Sequence, residues 1–245
     1  MQRFAYALSH GLKGPLRTVN IFTERLQKMT DGKLDEDGLL FMRFVIDGAR
    51  QAQKMIDGLL EYSVATHQRS IDGSADLQAV LADAISDVRV MVEECGARIT
   101  AGQLPTVRAD AERIRRVFLN LLSNALKYRA NRTPEIHVAA QNQGSEWLIS
   151  VKDNGLGIEA RHSDTIFGLF ERLHTVNEYE GSGVGLALCR AIIQRHRGRI
   201  WVESELGQGS TFFFTLPVQE TDLPPGVEGR AVLGTIGIPL EPPIH

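Results

Sequence analysis

Apolar residues recur every three or four positions from Phe4 through Leu8, Leu12, Leu16, Val19, Phe22 and Leu26 to Met29. That spacing builds one face of an α-helix and does not suit a strand. Asp31-Gly32-Lys33 interrupts it, and Leu40, Phe44, Met55, Ile56, Leu59 and Leu60 resume it to about Tyr62. Two long amphipathic helices joined by a short polar turn form a helical hairpin. With one apolar stripe per helix, such a hairpin cannot bury both stripes alone. Pairing two copies into a four-helix bundle is the economical remedy; a spacer inside a longer coiled coil is the competing reading.

His67 to Ala75 is polar, contains Gly73 and Ser74, and reads as a linker. Helical periodicity returns from Leu77 to Glu94, from Asp110, a suitable N-cap, to Arg129, and from Leu186 to His196. Strand-like runs occupy Ala97 to Thr100 and Thr106 to Ala109 around a turn containing Pro105. Others are Ile136 to Ala140, Trp147 to Lys152, Arg199 to Ser204 and Thr211 to Leu216. Helices gathered on one face of a largely antiparallel sheet give an α+β sandwich. After Pro217 the chain turns Pro- and Gly-rich, as in Leu223-Pro224-Pro225-Gly226, with Arg230 to Ile238 a candidate edge strand. The expected division is 1–66, a linker at 67–75, a second domain at 76–218, and a tail at 219–245.

A net charge of −3 over 245 residues, with no basic block, argues against nucleic acid as a partner. No apolar run approaches the roughly 18 residues that cross a bilayer, and Met1-Gln2-Arg3-Phe4 opens no signal peptide. The expectation is a cytoplasmic chain without direct membrane contact. Cys95 and Cys189 lack ligand-type spacing and read as free thiols.

Three segments of the second domain carry chemistry. Asn120 and Asn124 lie four apart and share a helix face; amide oxygens suit Mg²⁺, and Lys127, one turn on, suits phosphate. Read alone, the two amides are better explained as caps for the ends of neighbouring strands. Asp153 leads into Gly155-x-Gly157, where a carboxylate on the floor of an apolar pocket accepts from the amino group of adenine and the glycines permit close approach. The plain alternative is an Asp-Asn-Gly turn. Gly181-x-Gly183-x-Gly185 precedes a helix and favours an anion. It is a poor dinucleotide fingerprint, because no strand leads into it and no acid follows about twenty positions on. Gly207-x-Gly209-Ser210-Thr211 adds a second glycine turn.

In this order the segments resemble the N, G1, F, G2 and G3 boxes of histidine kinases, a branch of the GHKL ATP-binding superfamily. Ile166-Phe167-Gly168-Leu169-Phe170-Glu171-Arg172-Leu173-His174 matches the F box. Tyr179 to Gly183 and Ile200 to Glu205 are similar to phytochrome-like kinases. The resemblance implies ATP with Mg²⁺, with Asn124 and Asn120 at the metal and Asp153, Gly155 and Gly157 around adenine. Lys127, Tyr128 and Arg172 are implied near ribose or phosphate, and Gly181, Gly183, Gly185, Leu186 and Thr211 complete the nucleotide set, beneath a mobile lid between the F box and Gly185. ATP-hydrolysing relatives carry Glu where Asn120 stands. An amide cannot serve as a general base at neutral pH, so the pocket is expected to hold ATP without spending it on water.

Upstream, Ser9-His10-Gly11-Leu12-Lys13-Gly14-Pro15-Leu16 resembles the H box of the same kinases, matching at His10, Leu12, Lys13, Pro15 and Leu16. That implies His10 as phosphoacceptor, a homodimer through the hairpin, a response-regulator receiver domain as recipient, and a sensor domain upstream. Neutral imidazole keeps a free lone pair at pH 7 and is a competent nucleophile. Two residues depart from the pattern: Gly11 replaces the usual acid, and Gly14 stands where phosphatase-active members place Thr or Asn. The expectation is slow or partner-dependent autophosphorylation and weak phosphatase activity. A degenerate kinase that binds ATP and docks a regulator is the alternative, and Asn120 disfavours an ATP-hydrolysing clamp.

Overall fold

A computed structural model describes residues 2–30, 33–66, 73–171 and 182–218, without the side chains of residues 2–11. Helix α1 (Gln2–Met29) and helix α2 (Glu36–Ala65) form the hairpin. Asp35 starts α2 by accepting the Gly38 N–H at 2.9 Å, satisfying one orphan donor of the first turn. Lys13 pairs with Asp57 at 2.7 Å and Glu24 with Arg50 at 3.2 Å, which sets the antiparallel register. Ile46 and Ala49 are buried, whereas Phe22, Met29, Phe41 and Phe44 are each more than half exposed. The apolar faces therefore exceed what the two helices cover.

The second unit begins with strand β1 (Ser74–Asp76), helix α3 (Leu77–Asp87), helix α4 (Arg89–Cys95), strand β2 (Arg98–Ala101), strand β3 (Thr106–Arg108) and helix α5 (Ala111–Lys127). Strands β4 (Glu135–Asn142) and β5 (Glu146–Asp153), helix α6 (Gly185–Arg195), and strands β6 (Ile200–Glu205) and β7 (Gly209–Pro217) follow. A five-stranded sheet runs β2-β4-β5-β7-β6, antiparallel except for the β2–β4 pair. Its inner face carries Ile149, Val151, Phe212 and Phe214 against Phe118, Leu122, Leu188 and Ile192 of α5 and α6. Phe118 meets Phe214 edge-to-face at 5.7 Å, a geometry that adds about 0.5–1.5 kcal/mol to simple burial. On the outer face Trp201 stacks on Phe213 at 5.3 Å, and the Arg199 guanidinium lies 5.3 Å over Trp201.

The expected hairpin and α+β sandwich are both present, with three local differences. The helical run from Leu77 to Glu94 divides at buried Val88, whose N–H turns back to the Ile85 carbonyl at 3.2 Å. The two short runs around Pro105 do not pair with each other: β2 adds to β4, while β3 pairs with β1. Pro105 has no N–H for a hairpin ladder, and its carbonyl accepts from Leu77 instead. The last residues read as linker form β1, because Ala75, 1% exposed, faces Val107 in the core.

Periodicity alone does not show how the hairpin meets the sandwich. One stripe of α2 lies against α5 and α6. A methyl group at Gly58 would stand 2.9 Å from Val184 Cβ, so glycine allows this approach. Arg116 holds both Glu61 oxygens at 2.6 Å. Arg113 and Arg195 donate to the carbonyls of Ala65 and Thr66 at 3.2 and 3.3 Å, capping groups that a helix end leaves unpaired. The tail at 219–245, with its candidate edge strand, lies outside the described residues.

Candidate functional site

A cleft opens where α5, the end of β5, the start of α6 and β7 meet. Asn120, Asn124, Lys127, Tyr128, Asp153, Gly157, Gly183, Gly185 and Leu186 line it, so most of the sequence-predicted site converges. Ser123, Ile158, Ile166, Ser182, Ser210 and Phe212 also contribute walls. Arg172 and Gly181 lie outside the described residues.

Asp153 forms the floor. It ends β5 and is only 9% exposed. Its Oδ1 accepts from the Gly155 N–H at 2.7 Å and the Ser210 N–H at 3.2 Å. Burial pushes the carboxyl above its ordinary value, against the opposing pull of those two donors and of Arg132. Both donors converge on one oxygen, so the other, Oδ2, is the acceptor left for a ligand. The glycines make this geometry possible. A side chain at Gly155 would stand 2.5 Å from the Tyr128 carbonyl, and Gly157 has φ +74° with its open side against the Glu205 carbonyl. Gly155 thus shapes the floor from behind and does not line the cleft itself.

Thr211 does not reach the cleft. Side chains alternate along a strand, so Ser210 and Phe212 of β7 face the site while Thr211 joins the opposite face, between Lys152 and Glu203. The residues of this strand that line the cleft are its two neighbours, Ser210 and Phe212.

The two amides occupy the α5 wall. Asn120 Oδ1 lies 3.0 Å from where a side chain at Gly185 would begin, so glycine there keeps the start of α6 close. The Asn120 amide nitrogen is buried with no hydrogen-bond partner. Behind it, burial pushes the Cys189 thiol up to about 12, against a smaller pull from the Asn120 amide, so this cysteine is inert packing. Cys95 and Cys189 are both free.

Opposite, the Phe170 N–H donates to the Gly183 carbonyl at 2.9 Å, joining the two flanks of residues 172–181. Gly183 at φ +70° rests on the Phe170 backbone, and Phe170 itself adopts φ +65°. A left-handed Phe is uncommon, and here it aims the chain so that Glu171 reaches the cleft edge.

Several supports had no legible signal. Arg132 donates to the carbonyls of Asn154, Gly155 and Gly207 at 2.6, 3.2 and 3.0 Å. Asn154 accepts the Glu135 N–H and donates to the Thr133 carbonyl. An isolated Arg between turns shows no spacing, although the Asn of Asp-Asn-Gly hints at such bridging. His196, 2% exposed, accepts the Asp110 N–H at Nε2 (3.0 Å) and lies 2.8 Å from the Ile192 carbonyl at Nδ1, which makes Nδ1 the protonated nitrogen. Burial holds its pKa below the ordinary value.

Among the described residues no cluster of His, Cys, Asp or Glu is fit for a metal, and no helix is long and apolar enough to cross a membrane. The cleft suits a metal bound chiefly through phosphate. Asn120 and Asn124 on its wall carry neutral amide oxygens, a ligand type that suits Mg²⁺, which keeps several waters and takes few protein ligands.

Comparison with known proteins agrees with this geometry. Residues 109–220 match the family model described as histidine kinase-, DNA gyrase B-, and HSP90-like ATPase. Cyanobacterial phytochrome A of a Nostoc species is 43% identical over 218 residues, covering 89% of this chain and 28% of the relative. The adaptive-response sensory kinase SasA of a Synechococcus species is 36% identical, covering 86% of this chain and 58% of the relative. This chain therefore spans only part of the length of these relatives. The crystal structure of full-length ShkA in complex with AMPPNP has the same fold, with a TM-score of 0.67 at 23% identity over 89% of this chain and 46% of that one. With the hairpin and the ATPase-type sandwich matched together, the chain belongs to the histidine kinases of the GHKL superfamily.

Proposed function

We propose that this chain is the catalytic core of an ATP-dependent protein histidine kinase, which phosphorylates His10 and passes the phosphoryl group to an aspartate of a response regulator. The observation that carries the reading is the cleft itself: a buried carboxylate floor for the base, with an amide at position 120 instead of a hydrolytic carboxylate. Asp153 Oδ2 accepts the adenine amino group, and the glycines at 155 and 157 admit the ring. Lys127 and the N-terminus of α6 at Gly185 neutralise phosphate charge, with Arg172, Gly181 and Tyr128 completing the ribose and phosphate contacts. Asn124 and Asn120 would hold Mg²⁺, which when bound screens the phosphate oxygens. Transfer then depends on positioning and electrostatics, to which these side chains contribute.

The exposed apolar surface of α1 and α2 supports dimerisation through the hairpin, since a second copy would cover Phe22, Phe41 and Phe44. The functional division proposed is acceptor hairpin at 1–66, link at 67–75, ATP domain at 76–218 and tail at 219–245, with a sensor domain and a receiver domain as partners in the whole protein.

Incubation with Mg²⁺ and γ-labelled ATP tests the reading. Acid-labile label on wild-type protein, lost in His10→Ala, is the expected result. Steady phosphate release with no label on His10 would instead establish an ATP-hydrolysing clamp.

A further inference from the structure

Gly11 leaves the α1 turn that carries His10 without a carboxylate, and α2 offers one at the same height. The ion pairs Lys13–Asp57 and Glu24–Arg50 fix the register of the two helices. Extended along both helices, they place residue 61 of α2 level with residues 9 to 13 of α1. Position 10 shares the helix face of Lys13, three residues on, and that face meets α2. Between residues 60 and 64 the single carboxylate is Glu61. It lies one turn beyond Asp57, which is already engaged by Lys13.

Glu61 is not free in the described arrangement. Arg116 of α5 takes Oε1 and Oε2 at 2.6 Å and reaches Oε2 again through Nε at 3.2 Å. Arg116 is one helical turn before Asn120, so the docked ATP domain withholds this carboxylate. Both side chains are about two-fifths exposed, and half-exposed ion pairs exchange partners readily.

Resting on the kinase reading above, we infer that Glu61 is the positioning carboxylate of His10, supplied from the neighbouring helix in place of the acid absent at position 11, and that Arg116 sequesters it while the ATP domain is docked. When the ATP domain leaves this arrangement and turns its cleft toward His10, Glu61 is released, accepts a hydrogen bond from one ring nitrogen of His10 and orients the imidazole. The other nitrogen forms the N–P bond as the bond from the γ-phosphorus to the bridging oxygen breaks. ADP leaves with that electron pair, and the proton of the phosphorylated imidazole passes to the Glu61 carboxylate.

The test compares initial rates of His10 labelling in the full chain, with ATP affinity measured separately. If the ion pair only held the domains together, Glu61→Gln and Arg116→Gln would break it equally and shift the rate in the same direction. The inference requires them to diverge. Glu61→Gln lowers the rate roughly ten- to a hundredfold at unchanged ATP affinity, whereas Arg116→Gln raises it. Gly11→Asp added to Glu61→Gln restores the rate to within about threefold of wild type, because an acid at position 11 performs the same task. Equal or same-direction effects of the two single variants, or no rescue, overturn the inference and leave the kinase reading standing. Labelling that appears only with Gly11→Asp does likewise. Absence of label in every variant overturns the kinase reading and this inference with it.

Discussion

Replacing Asp153 with Asn separates base recognition from folding, because the two oxygens of this carboxylate have different partners. Oδ1 accepts from Gly155 at 2.7 Å and Ser210 at 3.2 Å, and an amide oxygen can still accept from both, each bond being weaker than to a carboxylate. The substitution changes only the second atom, turning an acceptor into a donor that faces the adenine amino group. Losing a hydrogen bond to a charged acceptor costs about 1.5–3 kcal/mol, so ATP affinity should fall roughly 10- to 150-fold. Stability of the free protein should hold or rise, because the carboxyl is 9% exposed and burial dominates its upward pKa shift. A carboxyl with a raised folded pKa binds more protons in the native state than in the unfolded chain. Its contribution therefore worsens as pH climbs from the ordinary 3.8 through the folded value. The stability gain of Asp153→Asn should accordingly be absent below that window and complete above it. Calorimetric titration with ATP and GTP, together with urea unfolding at several pH values, reads both effects. GTP should gain relative to ATP, since guanine presents a carbonyl where adenine has its amine. ATP affinity within threefold of wild type, or a loss of affinity matched by a loss of stability, would refute the reasoning.

His196 offers a second pH-dependent test. Its pKa is depressed in the fold, chiefly by burial, so the unfolded chain takes up more protons below about 6.5 and stability should fall as pH drops from there toward the folded value. His196→Ala leaves the Asp110 N–H and the Ile192 carbonyl without the ring nitrogens. It should cost roughly 2–4 kcal/mol in urea unfolding at pH 7 and flatten the decline below 6.5. Gly209 has φ +109° and its open side lies against the Asp153 carbonyl, so Gly209→Ala should lose about 2–4 kcal/mol and weaken ATP binding, both measurable in one thermal-shift titration.

Which features were legible in the sequence follows the range of the forces involved. Helical periods marked α1, α2, α5 and α6 because burial on one face writes a local pattern. Asp153 and the glycines were legible since a turn's demand for small residues is also local. Arg132, Ser210 and His196 were not, because each acts on backbone groups distant in sequence and leaves no spacing. The misplacement of Thr211 had a different origin: the glycine turn was recognised, but the side facing the cleft depends on the pairing of β7 with β5. Equally, nothing along α2 announced that Gly58, Glu61 and Ala65 form a stripe against another domain. That contact exists only once the chain has returned through α5 and α6.

The three carbonyls gathered by Arg132 belong to the turn after β5 and the turn between β6 and β7, so one guanidinium ties these turns together. A base recognised at Asp153 would thus meet turns already braced by the chain itself and forfeit little conformational entropy there. Selectivity between adenine and guanine would then rest on two braced turns and on the Asp153 carboxyl that the Gly155 N–H holds between them.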